Sequence, residues 1–153
     1  LHGGRWNPPR SFPTLYLNED IDTARSQIRS MLEGSPVDPE DLDGGYVLVA
    51  ATLPSNQVVA DAVSGAGLEA IGLPVTYPVY RNGRRVGHGV CQAVGADIEE
   101  SGLRGVRARS ATTRDGAGRE VAWFPARRSS VATPVGEPLP FQDWWNTPPV
   151  FDD

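Results

Sequence analysis

At 153 residues, with 39% hydrophobic residues, 17 glycines and 14 prolines, the chain is sized for one domain of short elements joined by many loops. Its net charge is −5, and no basic run is long enough to follow a phosphate backbone, which excludes non-specific nucleic-acid binding. All fourteen basic residues are arginine, which excludes Schiff-base, pyridoxal and P-loop lysine chemistry.

The chain opens on a loop, Gly3-Gly4-Arg5-Trp6-Asn7-Pro8-Pro9. Two glycines allow a sharp turn or close approach to a ligand, and the two prolines keep the segment out of a helix. An arginine fixed in such a frame beside aromatic rings suits a planar anion or a nucleotide, because its fork binds phosphate bidentately and its face stacks. The plainer alternative is a surface arginine in a Pro-rich turn. Thr14 to Leu17 reads as a short strand and Asp20 to Leu32 as a helix. Asp20 or Asp22 caps that helix, Ile21, Ala24, Ile28, Met31 and Leu32 form its apolar face, and Gly34 ends it. Gln27 falls at the edge of that face, either inward or as a partly exposed helix glutamine.

Ser35 to Gly45 is an acidic Pro/Gly-rich loop. Tyr46 to Leu53, apolar almost throughout, predicts a buried strand. Gln57 to Val63 is read as a strand, with Ser64 capping a short helix from Gly65 to Ile71 that Gly72 closes. Asn82-Gly83 within Tyr77–Val86 signals a hairpin, against which stands an irregular loop, since Pro78 interrupts the first arm. Arg81, Arg84 and Arg85 cluster at that turn, solvated or contributing to an anionic pocket. Val90, Cys91, Val94 and Ile98 have helical spacing, and the start at Gly87-His88-Gly89 exposes backbone N–H groups as a usable anion site. Gly105 to Ser110 and Glu120 to Phe124 read as partner strands around a turn-rich loop. The tail from Ser129 to Asp153 is rich in proline and aromatics. It is expected to lack long elements and to pack across the body or into a partner, with Trp144-Trp145 as exposed apolar surface.

One cysteine, Cys91, forbids an internal disulfide, and with His2 and His88 it offers no metal-ligand spacing. No apolar run approaches the roughly twenty residues needed to span a bilayer. With Leu1 rather than Met at its start and no signal-peptide pattern, the chain is expected to be a trimmed domain of something longer. The fold class expected from the elements is α+β, with short, mostly antiparallel strands flanked by helices.

The Gly3–Pro9 loop followed by Phe12-Pro13-Thr14-Leu15-Tyr16-Leu17, with Cys91-Gln92-Ala93-Val94-Gly95 later, resembles the RES-domain family, the toxin half of bacterial RES–Xre toxin–antitoxin pairs. The resemblance implies a single RES-like domain over residues 1–153 with a fold like that of ADP-ribosyltransferases. It also implies cleavage of NAD at the nicotinamide–ribose bond, with NAD as substrate and no further cofactor. By the same resemblance Arg5, Tyr16 and Gln27 are the candidate catalytic residues. Arg5, Trp6 and Tyr16 are the candidates for holding the nucleotide, and a cytoplasmic location is expected. The implied partners are an Xre-type antitoxin and a second copy in a homodimer, with no nucleic acid and no membrane. The chain departs from the family at two places: the helix glutamate, eleven residues after the tyrosine, falls at Gln27, and a serine falls at Gly89. The family's upstream arginine-bearing strand would precede Leu1. Ser110, near a second family serine position, has no histidine base in view. The alternative function is a catalytically inactive RES-like module that binds a nucleotide or a protein.

Overall fold

A computed structural model of the chain describes residues 3–42, 46–125 and 130–145. The expectations placed on His2, on residues 43–45 and on the ends of the tail lie outside the described residues. Strand β1 (Leu15–Asn18) leads into helix α1 (Ile21–Leu32). Asp20 caps that helix, its carboxylate accepting the Thr23 N–H at 2.7 Å and the Thr23 hydroxyl at 3.0 Å, which satisfies an otherwise orphaned N-terminal donor. At the other end Gly34 takes φ +78°, the left-handed conformation in which a helix terminates most easily at glycine.

Strand β2 (Val47–Thr52), strand β3 (Ala60–Ala62), helix α2 (Gly65–Ala70) and helix α3 (His88–Glu100) follow. Strands β4 (Gly105–Arg109), β5 (Arg119–Trp123) and β6 (Thr133–Pro140) and the short helix α4 (Phe141–Trp145) complete the order. Four strands form one sheet in the order β1-β5-β4-β3, while β2 and β6 form a separate ribbon. Among the described strands only β3 and β4 run parallel. The architecture is α+β, as expected.

Directly paired residues share a face of the sheet. Tyr16 lies opposite Ala122 and Asn18 opposite Glu120, while Ala122 lies opposite Val106 and Glu120 opposite Ala108. That one face therefore carries Tyr16, Asn18, Glu120 and Ala122 beside Val106 and Ala108. Leu68 of α2 and Cys91 and Ile98 of α3 pack on its apolar part, together with the fully buried Trp6. A second core lies elsewhere: Phe141, Trp144 and Trp145 pack with Leu42 against Ile21, Ala24, Ile28 and Leu32 of α1. Within this second core the buried Arg25 ties α1 to α4. Its Nη1 donates to Asp22 at 3.0 Å and its Nη2 to the Trp144 carbonyl at 2.8 Å.

Several expectations are corrected here. Trp144 and Trp145 are buried, not exposed; with Phe141 and Leu42 they pack on the apolar face of α1, and burying each ring stabilises by about 1.5–3 kcal/mol or more. The tail does pack across the body, but it contains an eight-residue strand, β6. The apolar run at β2 is not buried. Tyr46, Val47 and Val49 are exposed because β2 pairs only with β6 in a two-stranded ribbon. Met31 is 55% exposed, off the apolar face assigned to it. The Asn82-Gly83 turn forms with Gly83 at φ +81°, yet a single bridge, Val79 to Arg85, replaces two hairpin arms. Among the described residues no helix is long and apolar enough to cross a membrane.

Candidate functional site

The loop at Gly3–Pro9 is held from three sides. Gly3 adopts φ +73°, and the Gly4 N–H donates to the Asn7 carbonyl at 3.1 Å. A β-carbon on Gly4 would strike the Tyr16 ring, so the loop backbone lies directly on β1. The Tyr16 hydroxyl accepts the Trp6 N–H at 2.9 Å and donates to Asn7 Oδ1 at 2.6 Å. From α3, Gln92 Nε2 donates to the Gly4 carbonyl at 2.9 Å. Trp6 is buried in the core with its ring 5.8 Å from that of Tyr77. It is thus a plug that orders the loop.

Arg5 is half-buried between these supports. Its Nη1 donates to the Val86 carbonyl at 3.3 Å and approaches Cys91 Sγ at 4.0 Å. Among the described residues no acceptor takes its Nε or Nη2 hydrogens, and no carboxylate lies within ion-pair distance. The charge of Arg5 reaches a ring of ionisable groups. Burial pushes the Cys91 thiol up and Arg5 opposes this. His88 is pushed down, by burial first and then by Arg5. The Tyr77 phenol is pushed strongly up by burial, with Arg5 again opposing; burial likewise raises Tyr16 against its backbone hydrogen bonds and Arg5.

Sequence reasoning missed one member of this ring. Glu120 is 6% exposed on the core face of β5. Gln27 reaches it from α1, Nε2 donating to Glu120 Oε2 at 3.2 Å, while Asn18 Nδ2 donates to Gln27 Oε1 at 3.1 Å. Burial raises the Glu120 carboxyl above its ordinary value, opposed by Arg5, by the Gln27 hydrogen bond and by the Trp6 indole. That indole N–H makes no hydrogen bond among the described residues. The signal was in the strand: period-two alternation in Glu120-Val121-Ala122-Trp123-Phe124 puts Glu120 on the same face as Ala122 and Phe124.

Tyr16 lines a cavity of about 690 Å³ beneath the loop, with Gly3, Gly4, Asn7, Phe12 and Thr14. Arg5 and Gln27 are not in its wall; Gln27 hydrogen-bonds Glu120, and Arg5 acts on Glu120 through space. A second cavity of about 590 Å³ opens beside α1 between Ser26, Arg29 and Ser30 and, across from them, Arg85 and Thr112. Arg81 and Arg84 are solvated. Gly89 faces open space in the first turn of α3. Ser110 is buried, its Oγ 3.0 Å from Thr112 Oγ1 and accepting the Thr112 N–H at 3.2 Å, which makes it part of a turn. No cluster of three or more metal-ligating side chains occurs among the described residues.

A family model for the RES domain matches residues 1–143. No curated protein matches the chain. Among solved structures, a chain in the crystal structure of the M. tuberculosis MbcT–MbcA toxin–antitoxin complex superposes with a TM-score of 0.68. It is 20% identical, over 94% of this chain and 77% of that one, a likeness of fold.

Proposed function

The chain belongs to the RES domain family, and from that premise we propose that it binds NAD and cleaves the nicotinamide–ribose bond, as the toxin of a toxin–antitoxin pair acting in the cytoplasm. The observation that carries this reading is Arg5: a half-buried guanidinium fixed by β1 and α3, with its Nε and Nη2 donors uncommitted among the described residues. Such a fork suits the pyrophosphate, and it loses little entropy when it grips. Tyr16 holds the loop that presents Arg5, and Trp6 plugs that loop into the core. Gln27 closes the inner side from α1.

Cleavage passes through a ribosyl oxocarbenium-like state, since nicotinamide is already a good leaving group. The requirements are anchored phosphates and negative charge near the ribose. A second reading, a nucleotide-binding module without turnover, is favoured by one feature: Gln27 is an amide and carries no charge. Chromatographic assay of NAD and nicotinamide over time separates the two, with nicotinamide release by wild type and its loss in Arg5→Ala expected. Undiminished NAD in the presence of measurable binding favours the module. Products formed with and without inorganic phosphate assign the acceptor.

The partner of this reading is an antitoxin of the Xre type, with a homodimer as the toxin's own state. The MbcT–MbcA complex supports an antitoxin partner. Light scattering of the chain alone and with its antitoxin tests both; a strict monomer that ignores the antitoxin counts against them.

A further inference from the structure

Resting on the NAD reading, we propose that Glu120 supplies the negative charge of the site from β5 and that the Gln27 amide holds it there from α1. A carboxylate 6% exposed without an ion pair is costly to keep ionised, and such groups concentrate where their charge is used. Glu120 has charge-stabilising neighbours on two elements: Arg5 on the loop, which acts on it through space, and Gln27 on α1, at 3.2 Å. The Gln27 amide is itself fixed in orientation, because Asn18 donates to its Oε1. An ionised Glu120 can only accept, which leaves Nε2 as the Gln27 atom that faces it. A glutamate at position 27 would put two carboxylates at hydrogen-bond distance, where both cannot ionise. Positions 27 and 120 together accommodate one charge, and this chain carries it on the strand.

In the reaction the bond from ribose C1′ to the nicotinamide nitrogen breaks, and both electrons leave with the ring, which departs neutral. Positive charge remains on the ribose, where Glu120 opposes it electrostatically. Water then adds at C1′ and releases one proton to solvent, giving ADP-ribose; inorganic phosphate in place of water gives ADP-ribose phosphorylated at that same carbon.

The test compares NAD turnover, NAD binding and thermal unfolding for wild type, Glu120→Gln, Gln27→Glu and the double exchange. Glu120→Gln keeps a hydrogen-bonding partner for Gln27 and removes only the charge, so turnover should fall by about a hundredfold with binding of ADP-ribose unchanged. Gln27→Glu alone should lose activity, and the double exchange should recover it to within about tenfold of wild type, which a merely structural role does not predict. The pH profile of kcat/KM adds a second readout. Gln27 of α1 hydrogen-bonds Glu120, and the ionisable groups coupled to it through space are Arg5 on the loop, Tyr16 on β1, Tyr77 and, on α3, Cys91. Wild type should lose activity as pH falls through the raised Glu120 value, and Glu120→Gln should lack that limb. Wild-type turnover by Glu120→Gln, or the same acid limb in it, overturns the assignment and leaves the NAD reading standing. If Glu120→Gln does not fold, a folded but inactive double exchange overturns the assignment equally. A wild-type chain that neither binds nor consumes NAD overturns the NAD reading and Glu120's role with it. Binding without turnover overturns cleavage and that role together.

Discussion

The carbonyl oxygen of Trp6 rests against Gly95 of α3 so closely that a β-carbon there would stand 1.8 Å from it. Helix propensity alone favours alanine over glycine at an interior position by about 1 kcal/mol. Here the obstacle is backbone, which does not rotate aside, and overpacking costs about 1–3 kcal/mol. Gly95→Ala should therefore lower stability in urea titration and weaken NAD binding by shifting Arg5, the residue just before Trp6 in the loop. A stabilised Gly95→Ala would show that the loop sits less tightly than this.

Tyr16→Phe removes the hydroxyl between the Trp6 N–H and Asn7 Oδ1. The ring stays, so the change isolates the polar bridge. Leaving such donors and acceptors without partners costs roughly 1–3 kcal/mol. Hydrogen exchange at the Trp6 amide should accelerate in the variant while exchange in β4 holds steady. Equal protection in both proteins would mean the loop does not depend on Tyr16.

Arg5→Ala should weaken NAD binding far more than Arg84→Ala. Arg5 is fixed by its loop, and a charge-assisted pair there is worth about 1.5–3 kcal/mol, or roughly ten- to a hundredfold in affinity. Arg84 is exposed at a turn, where a screened charge contributes about 1 kcal/mol or less. Arg5→Lys should recover little, because a point charge does not reproduce the fork. Calorimetric titration decides it, and equal losses at both positions would indicate diffuse attraction.

Glu120 makes a prediction about stability as well as rate. Its folded carboxyl is raised above the ordinary glutamate value by burial. In the window between those two values the native state binds more protons than the unfolded one, so this group's contribution to stability falls as pH rises. Glu120→Gln should then be at least as stable as wild type at neutral pH, with the difference shrinking as the solution is acidified through the window. Glu19 and Asp61 are lowered by hydrogen bonds, chiefly from Arg107 and Ser64, and work in the opposite sense in both proteins. The comparison between variants cancels them. A difference that is constant from acid to neutral pH would mean Glu120 does not titrate in this range.

Much of the architecture was legible from local rules. The α1 cap and stop, the Ser64 cap of α2 and the pairing of β4 with β5 follow from capping chemistry and alternation. What misled was the assumption that an apolar run is buried and that an aromatic-rich tail is exposed. β2 and Trp144-Trp145 reverse both, because exposure depends on which element lies opposite, a non-local fact. The site divides the same way. Arg5 and Tyr16 stand close together because neighbouring loop and strand must fold on each other. Glu120 went unnoticed since its meaning depends on Gln27, 93 positions away, and on pairing with β1.

β1 has a single neighbour in its sheet, β5, and that has a consequence for the order of synthesis. A ribosome reads Arg5, Tyr16 and Gln27 early, and domains fold as the chain emerges, N-terminal part first. Yet a nascent chain that has reached only α3 holds every residue of the loop and first helix with no strand for β1 to join and no Glu120 for Gln27 to meet. The centre is completed by its last-arriving strand. On the proposed reading, an unfinished chain lacks the assembled centre and would leave NAD untouched until β5 is in place.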